Sequence, residues 1–420
     1  MKKIVRILVW CLFTPLILGL AGAEPTSTAT AASGAPRVFL LDGKYLQATR
    51  QRIQDGDKSL APAVARLEQD AKEALITGPF SVTSKKLTPP SGDKHDYMSL
   101  APYFWPNPDT TNGLPYIRRD GERNPEIGRI SDHRTQDEMS GTVQTLALAY
   151  YFTGDDTYAA KATQLLRAWF LDPATRMNPN LQYAQAISGV NTGRGIGLIE
   201  TRSLTQVVDA IGLLAGSKSW TAADQRGLED WFSKFLQWMQ ESTNGQAEAA
   251  AKNNHGTYYD VQAASFALFL GKQELAKKIV QTVWTKRIAV QIEPDGRQPL
   301  ELVRTKAWGY SNGNLSGLMM LAVLGDDVGV DLWNYQTKDG RSIRKALDYL
   351  VPFGLGEKKW PYQQIGGWSP QAVFSSMRRA ALKYSDAPYR AVLAKLPEVE
   401  SANRNNLLGP KPAEQKSAKR

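Results

Sequence analysis

Apolar residues recur at helical spacing in one segment of this chain after another, and only short turns separate the segments. The pattern covers residues 60–76, 141–152, 158–171, 200–214, 222–240, 256–270, 274–290, 300–324, 343–349 and 371–383, with no sustained strand-like alternation between them. Thr153-Gly154-Asp155-Asp156 punctuates two of these segments as the turn of a hairpin, and Asp172-Pro173 closes the second. Helices in such close succession become antiparallel neighbours, and a chain of them curls into a solenoid or closes into a toroid. These hairpins share no strict sequence period, so the expected fold is all-α, an α/α toroid.

The body is framed by two segments of other character. Lys2, Lys3 and Arg6 precede an apolar run over 7–22 that ends in Ala21-Gly22-Ala23, the pattern of a secretory signal peptide over 1–23. An uncleaved anchor is the other reading, disfavoured by Pro15 and the small residues at the end of the run. A Thr/Ala/Ser/Gly/Pro-rich linker over 24–36 follows, then the folded body over 37–408 and a tail over 409–420 expected to be disordered. The expected location is the periplasm or the outside of the cell, with no stable membrane insertion once the signal is cleaved.

Cys11, the sole cysteine, lies inside the leader, so the mature chain has no disulfide and no thiolate for metal binding or nucleophilic attack. The net charge of +10 suits a polyanionic partner. In an exported chain that means acidic polysaccharides or anionic envelope surfaces, not nucleic acid, although many exported proteins are simply basic. Nothing in the sequence sets the oligomeric state.

Two stretches resist the helical pattern, 95–127 and 181–197, and long irregular segments in compact domains are more often functional loops than filler. The first, with Lys94 just ahead of it, carries Tyr97, Tyr103, Trp105, Tyr116, Arg118 and Arg119. Aromatic faces stack on sugar rings and arginine forks bind carboxylates, which suits an anionic glycan; the same aromatics would serve to pin the loop to the body.

Histidine is scarce: His95, His133 and His255 are the whole set. His255 follows Asn253-Asn254 and begins an apolar helix. With Asn254 as the expected N-cap, the helix N-terminus would favour a bound carboxylate beside the imidazole; an ordinary cap with a packed histidine is the alternative. Arg304 and Tyr310 lie in one helical segment, but at about 100° per residue they fall on different faces. To reach one substrate the helix must kink, for which Gly309 gives the opportunity, or the long side chains must converge; otherwise Glu301 pairs with Arg304 on a solvated face and Tyr310 packs inside.

Two other chemistries have their residues on paper. A glycoside hydrolase needs two opposed carboxylates, and Asp137, Glu138, Asp260 and Glu301 are available, yet no spacing singles out a pair and carboxylates repel a polyanion. Scattered histidines without ligand spacing argue against a metal site, and no cofactor is expected.

Taken together, Asn254-His255, Arg304 and Tyr310 in a helical exported chain resemble the alginate-lyase superfamily of polysaccharide lyases. So do Lys94-His95-Asp96-Tyr97, Ala101-Pro102-Tyr103-Phe104-Trp105-Pro106 and Pro115-Tyr116-Ile117-Arg118-Arg119-Asp120-Gly121. The likeness spans about residues 40–390. Asn191-Thr192-Gly193-Arg194-Gly195-Ile196-Gly197 and Trp308-Gly309-Tyr310-Ser311 bring the chain closer to polysaccharide lyase family 38 than to the related, shorter enzymes of family 5. Family 5 places its tyrosine in a different local context, so exact substrate preference does not carry over.

The resemblance implies an incomplete barrel of six or seven helical hairpins with a substrate groove. It implies metal-independent β-elimination on a β-1,4-linked polyuronate, alginate or polymannuronate or glucuronan, with Tyr310, His255, Asn254 and Arg304 catalytic. Arg118, Arg119, Arg194 and Lys306 are candidates for binding neighbouring uronates, and Tyr97, Tyr103, Trp105 and Tyr116 for stacking. A hydrolase on the same toroid, or a non-catalytic polyuronate-binding protein, are the alternatives.

Overall fold

The computed structural model describes residues 34–384, 389, 391 and 402–409. The expected leader, most of the linker and the tail beyond residue 409 lie outside the described residues.

In chain order the helices are α1 (Gly43–Gln54), α2 (Ala61–Leu75), α3 (Asp132–Thr153), α4 (Asp156–Leu166), α5 (Leu204–Leu213), α6 (Ala222–Glu241) and α7 (Thr243–Ala249). Then come α8 (Asn254–Phe269), α9 (Gln273–Val283), α10 (Ala289–Gln291), α11 (Pro299–Leu302), α12 (Ala307–Val328), α13 (Ile343–Gly354) and α14 (Gln371–Lys383). The protein is a mostly helical α/α toroid: α3 packs on α2, α4 and α5, α8 on α9 and α12, and α13 on α14. One hydrophobic cluster runs through it from Phe39 to Leu407. Among the described residues no helix is long and apolar enough to cross a membrane.

The turns use the chemistry read from the sequence. Gly154 ends α3 at φ 77°, and the Asp155 carboxylate then accepts the Thr157 N–H at 2.9 Å to start α4. Thr221 and Asp224 form a reciprocal capping box on α6, and Ser242 both ends α6 and caps α7.

Three elements differ from the sequence reading. The segment expected as one helix over 300–324 is broken: α11 stops at Leu302, residues 303–306 are non-helical, and α12 starts at Ala307. The break lies ahead of Gly309, where the kink was expected. α3 begins at Asp132, nine positions before the apolar pattern, because Asp132 and Gln136 are buried polar residues that a hydrophobic template skips. The irregular stretches carry short strands. β1 (Met98–Leu100) pairs in parallel with β4 (Tyr183–Ala186), and β2 (Phe104–Trp105) in antiparallel with β3 (Ile117–Arg118), fixing both loops against the helices.

α8 is buried on all sides, and only His255 and Tyr258 escape full burial. Its N-terminus is fastened by Arg287, which reaches back from the turn after α9. Nε of Arg287 donates to Asp260 at 2.7 Å, and its Nη atoms donate to the carbonyls of Ala251 and Ala249 at 2.6 and 2.9 Å. The guanidinium crosses Gly256 so closely that a Cβ there would overlap it.

Removing one partner of a buried ion pair leaves an unpaired charge. Arg287→Ala should therefore lower the unfolding free energy by about 3–5 kcal/mol, whereas Lys234→Ala, which breaks the exposed pair with Asp230, should cost at most about 1 kcal/mol. Urea titration of the two variants checks this, and equal losses would remove Arg287 from its structural role.

Candidate active site

A cleft of about 1050 Å³ opens where the N-terminus of α8, the break before α12, α3 and the two irregular stretches meet. Eight of the twelve residues singled out by sequence line it together: Asn254, His255, Arg304, Tyr310, Tyr103, Arg118, Arg194 and Lys306.

At the head of α8 the cap is Asn253, not Asn254: the Asn253 side chain accepts the His255 N–H at 3.3 Å. Asn254 is the first helical residue. Its backbone N–H and its Nδ2 donate to the two oxygens of Glu301 at 2.7 and 2.8 Å, so α11 orients the amide. Burial pushes the Glu301 carboxyl up, outweighing these hydrogen bonds. Nδ1 of His255 donates to the buried Glu248 on α7 at 2.8 Å, fixing the tautomer and leaving Nε2 as the uncommitted ring nitrogen.

The break between α11 and α12 solves the problem of the two helical faces. Arg304 lies outside both helices, and its Nη2 donates to the Tyr310 hydroxyl at 2.9 Å while its guanidinium packs 3.9 Å from the Tyr310 ring centre. Nε and Nη2 of Arg304 also grip Asp120, with a shortest contact of 2.8 Å. Asp120 further accepts the Thr305 N–H at 3.1 Å and pairs with Arg118 at 2.6 Å. Gly121 beside it is at φ 75°, and a Cβ there would collide with the Thr305 hydroxyl. The Tyr310 hydroxyl in turn donates to that of Tyr103 at 2.8 Å. Burial, and then the Tyr103 hydrogen bond, push the Tyr310 phenol well up despite the nearby Arg304, so the free protein holds it neutral.

Other sequence candidates fall elsewhere. Tyr97 is fully buried with its hydroxyl donating to Glu200 at 2.7 Å, so it has no face for a sugar and is corrected from platform to core. Trp105, Tyr116 and Arg119 are not part of the cleft lining. The Trp105 indole donates to the Glu122 carbonyl and lies under Arg119, and Tyr116 donates to Glu126. These three pin the irregular stretch. Of the four carboxylates available to a hydrolase, Asp260 is buried against Arg287 and Glu301 holds Asn254. Asp137 and Glu138 do line the cleft but are neighbours on α3. Among the described residues no three His, Cys, Asp or Glu side chains gather into a metal-holding group.

Sequence reasoning missed several cleft residues. His133 lies on α3 with Nε2 3.3 Å from Asp137; burial works against its charge, but Asp137 and Glu200 outweigh it and raise its pKa. Gln185, Arg123, Arg134, Arg202 and Tyr258 also line the cleft. The histidine's rarity and its i,i+4 aspartate were the available signal for His133. Glu248 and Gln185 carried none.

The alginate lyase family model matches residues 81–360. Among solved structures, an alginate lyase from Bacteroides ovatus is 42% identical, covers 89% of this chain and 99% of its own, and superposes with a TM-score of 0.85. Alginate lyase A1-III from Sphingomonas species A1 is 17% identical with a TM-score of 0.57, covering 93% and 100%. A histidine-to-alanine variant of that enzyme complexed with tetrasaccharide gives 17% and 0.53, covering 87% and 92%. The last two share the fold. No curated protein matches the chain.

Burial opposes the charge of Asp120, but Arg304 and the Thr305 amide outweigh it and hold its carboxyl well below the usual range. A depressed carboxyl contributes stability that is present above its unfolded value, near 3.8, and is lost as pH falls through the folded value. Asp120→Asn should thus cost about 2 kcal/mol, a gap constant from pH 8 to 5 that closes only in stronger acid. Denaturation of both proteins across that range tests it; a gap that closes between pH 7 and 5 would exclude the assignment.

Proposed function

The chain belongs to the alginate lyase family and is a polysaccharide lyase, and from that premise we propose that it cleaves a β-1,4-linked polyuronate by β-elimination without a metal. The observation that carries this reading is the convergence of Asn254, His255, Arg304 and Tyr310 on one basic cleft. The substrate would be polymannuronate or glucuronan, met in the periplasm or outside the cell. The Bacteroides ovatus relative, 42% identical over nearly its whole length, is an alginate lyase.

Elimination removes the C5 proton beside a carboxylate that is already charged, so negative charge develops next to negative charge. Groups that bind and neutralise that carboxylate lower the barrier, each donor by a few kcal/mol. Arg304 is held by Asp120 through Nε and Nη2, which leaves Nη1 for the substrate. Asn254 commits one amide hydrogen to Glu301 and keeps the other. The helix N-terminus adds its positive end at His255.

The C5–H bond breaks, its electron pair forms the C4=C5 double bond, and O4 leaves with the C4–O4 electrons and takes up a proton. In syn elimination Tyr310 performs both transfers, as phenolate or through a relay: once its own proton has passed to solvent, the phenolate, stabilised by Arg304 at 2.9 Å, takes the C5 proton and then gives it to O4. That geometry fits mannuronate and glucuronate, whose proton and leaving group share a face. The neutral resting phenol favours a second reading on guluronate, in which His255, steadied by Glu248, is the base and Tyr310 the acid. Either way the product bears a 4,5-unsaturated uronate. Arg118, Arg194 and Lys306 would hold neighbouring carboxylates, and Tyr103 would contact the sugar beside Tyr310.

Purified protein with excess EDTA on polymannuronate, polyguluronate and glucuronan should raise ultraviolet absorbance from the conjugated double bond, and the polymer that responds identifies the sugar. Tyr310→Phe should reduce the rate by at least about a hundredfold with polymer binding retained, and His255→Ala by a comparable factor with the fold intact. Reducing ends without the absorbance would mean hydrolysis. Binding without turnover on any uronan would leave a polyuronate-binding protein.

A further inference from the structure

Gln185 is the only non-glycine among the described residues with a backbone in the left-handed region, at φ 51°. It lines the cleft and is buried, 6% exposed. Its position is a fault in the β1–β4 ladder: Met98 pairs with Tyr183 but Leu100 pairs with Ala186, so β4 carries one residue more than β1. Bulges of this kind re-aim a side chain, and strain of this kind persists where the surroundings over-determine it.

Those surroundings are explicit. The Gln185 N–H donates to Ser99 Oγ at 2.8 Å, and Ser99 donates to the buried Glu200 at 2.6 Å. The 193–197 turn is seated on β4, with the Arg194 N–H donating to the Ala184 carbonyl at 3.0 Å and Gly197 against Ala184 so tightly that a Cβ would overlap it. The bulge and the turn together bring Gln185 Oε1 to accept from Arg194 Nη2 at 2.8 Å.

Arg194 differs from Arg304, Arg118 and Arg134, each of which has a carboxylate partner. Its side-chain partners are the neutral Gln185 amide and the face of Phe104, 5.0 Å away. Its Nε is buried without a hydrogen-bond partner. Burial disfavours the charge and lowers its pKa; Glu200 and Glu248 offset this only in part and from a distance, and among the described residues no carboxylate forms an ion pair with it. The guanidinium is held in place but not neutralised.

We propose that Gln185 is a positioning and specificity-determining residue whose strained backbone and neutral amide hold Arg194 ready for the carboxylate of a uronate next to the one undergoing elimination. The inference rests on the polyuronate reading above and deepens it. An amide fixes the guanidinium without cancelling its charge, whereas a glutamate here would fix it equally and cancel it.

Gln185→Gly and Gln185→Glu separate these roles. Glycine adopts the left-handed backbone freely, so a structural role alone predicts a protein at least as stable with unchanged kinetics. With a positioning role, Gln185→Gly keeps or gains stability in urea, while KM on the polyuronate that the wild type cleaves rises about tenfold with kcat within about twofold. Gln185→Glu, which keeps the side-chain reach, should also raise KM, because its carboxylate competes with that of the substrate. Titration calorimetry with the same polymer should show a parallel loss of affinity. Unchanged KM and Kd in both variants, or a Gln185→Gly protein that unfolds earlier, would overturn the proposal. If the wild type binds polyuronate but does not cleave it, the Kd values still decide the role of Gln185 while the lyase reading fails. If it neither binds nor cleaves, both readings fall.

Discussion

Asp120 is the joint on which the cleft turns. Its carboxylate reaches from the irregular stretch before α3 to the gap between α11 and α12, where it meets the Arg304 guanidinium and the Thr305 amide at once. A break in a helix leaves backbone donors and acceptors that need partners. Asp120 supplies one, and the Ala307 and Ile365 N–H groups find others at the Gln363 and Thr305 carbonyls. The same carboxylate fixes the direction of Arg304, and Arg304 in turn donates to Tyr310. Without that joint, Arg304 and Tyr310 would keep only their contact with each other to hold them on one side of the chain.

A buried polar network secures the other half of the site. The Gln291 amide oxygen accepts from Thr257 and Asn314, its nitrogen donates to the Asn253 carbonyl, and Asn314 also donates to Gln298, which donates to the Ser311 carbonyl. These contacts join the cap of α8 to the body of α12, and Gly317 lets the two helices approach until a Cβ would stand 2.9 Å from Thr257. Each hydrogen bond offsets part of the cost of burying these amides, although the Asn314 Oδ1 atom is left without a partner. The relative position of His255 and Tyr310 is therefore set by hydrogen bonds with directional demands as well as by apolar packing, which tolerates sliding.

Much of this architecture was legible in the sequence, and the exceptions have a common cause. The hairpins announced themselves by apolar period and by turns such as Thr153-Gly154-Asp155, because local chemistry sets them. Arg304 and Tyr310 were legible as candidates, but the break beside Arg304 was not, since the polar run over 304–306 reads equally as a solvated helical face. Asn254 read as the cap because it adjoins the histidine, yet Asn253 takes that role and frees Asn254 to face Glu301. Tyr97 read as a platform because aromatics in loops are ambiguous until burial is known. Glu248 and Gln185 act through partners seven and nine positions away, in contacts that only the packing of α7 and β4 creates.

The charge pattern in the cleft follows from where each carboxylate finds its partner. Asp137 is engaged by His133 and Ser203, Glu138 by Arg134, and Glu200 by Tyr97 and Ser99, so the acidic groups of that wall are paired or hydrogen-bonded. Arg194 rests on Phe104 and Lys306 lies 5.9 Å from the ring centre of Tyr103, contacts that orient a cation without cancelling it. A cleft whose acids are paired or hydrogen-bonded and whose cations are oriented but unpaired is suited to a polyanion that carries carboxylates along its length. That balance holds only while those acids keep their partners. On the polyuronate reading, the hydrogen bonds around Glu200 and His133 would therefore shape substrate capture even though neither group needs to touch the bond that breaks.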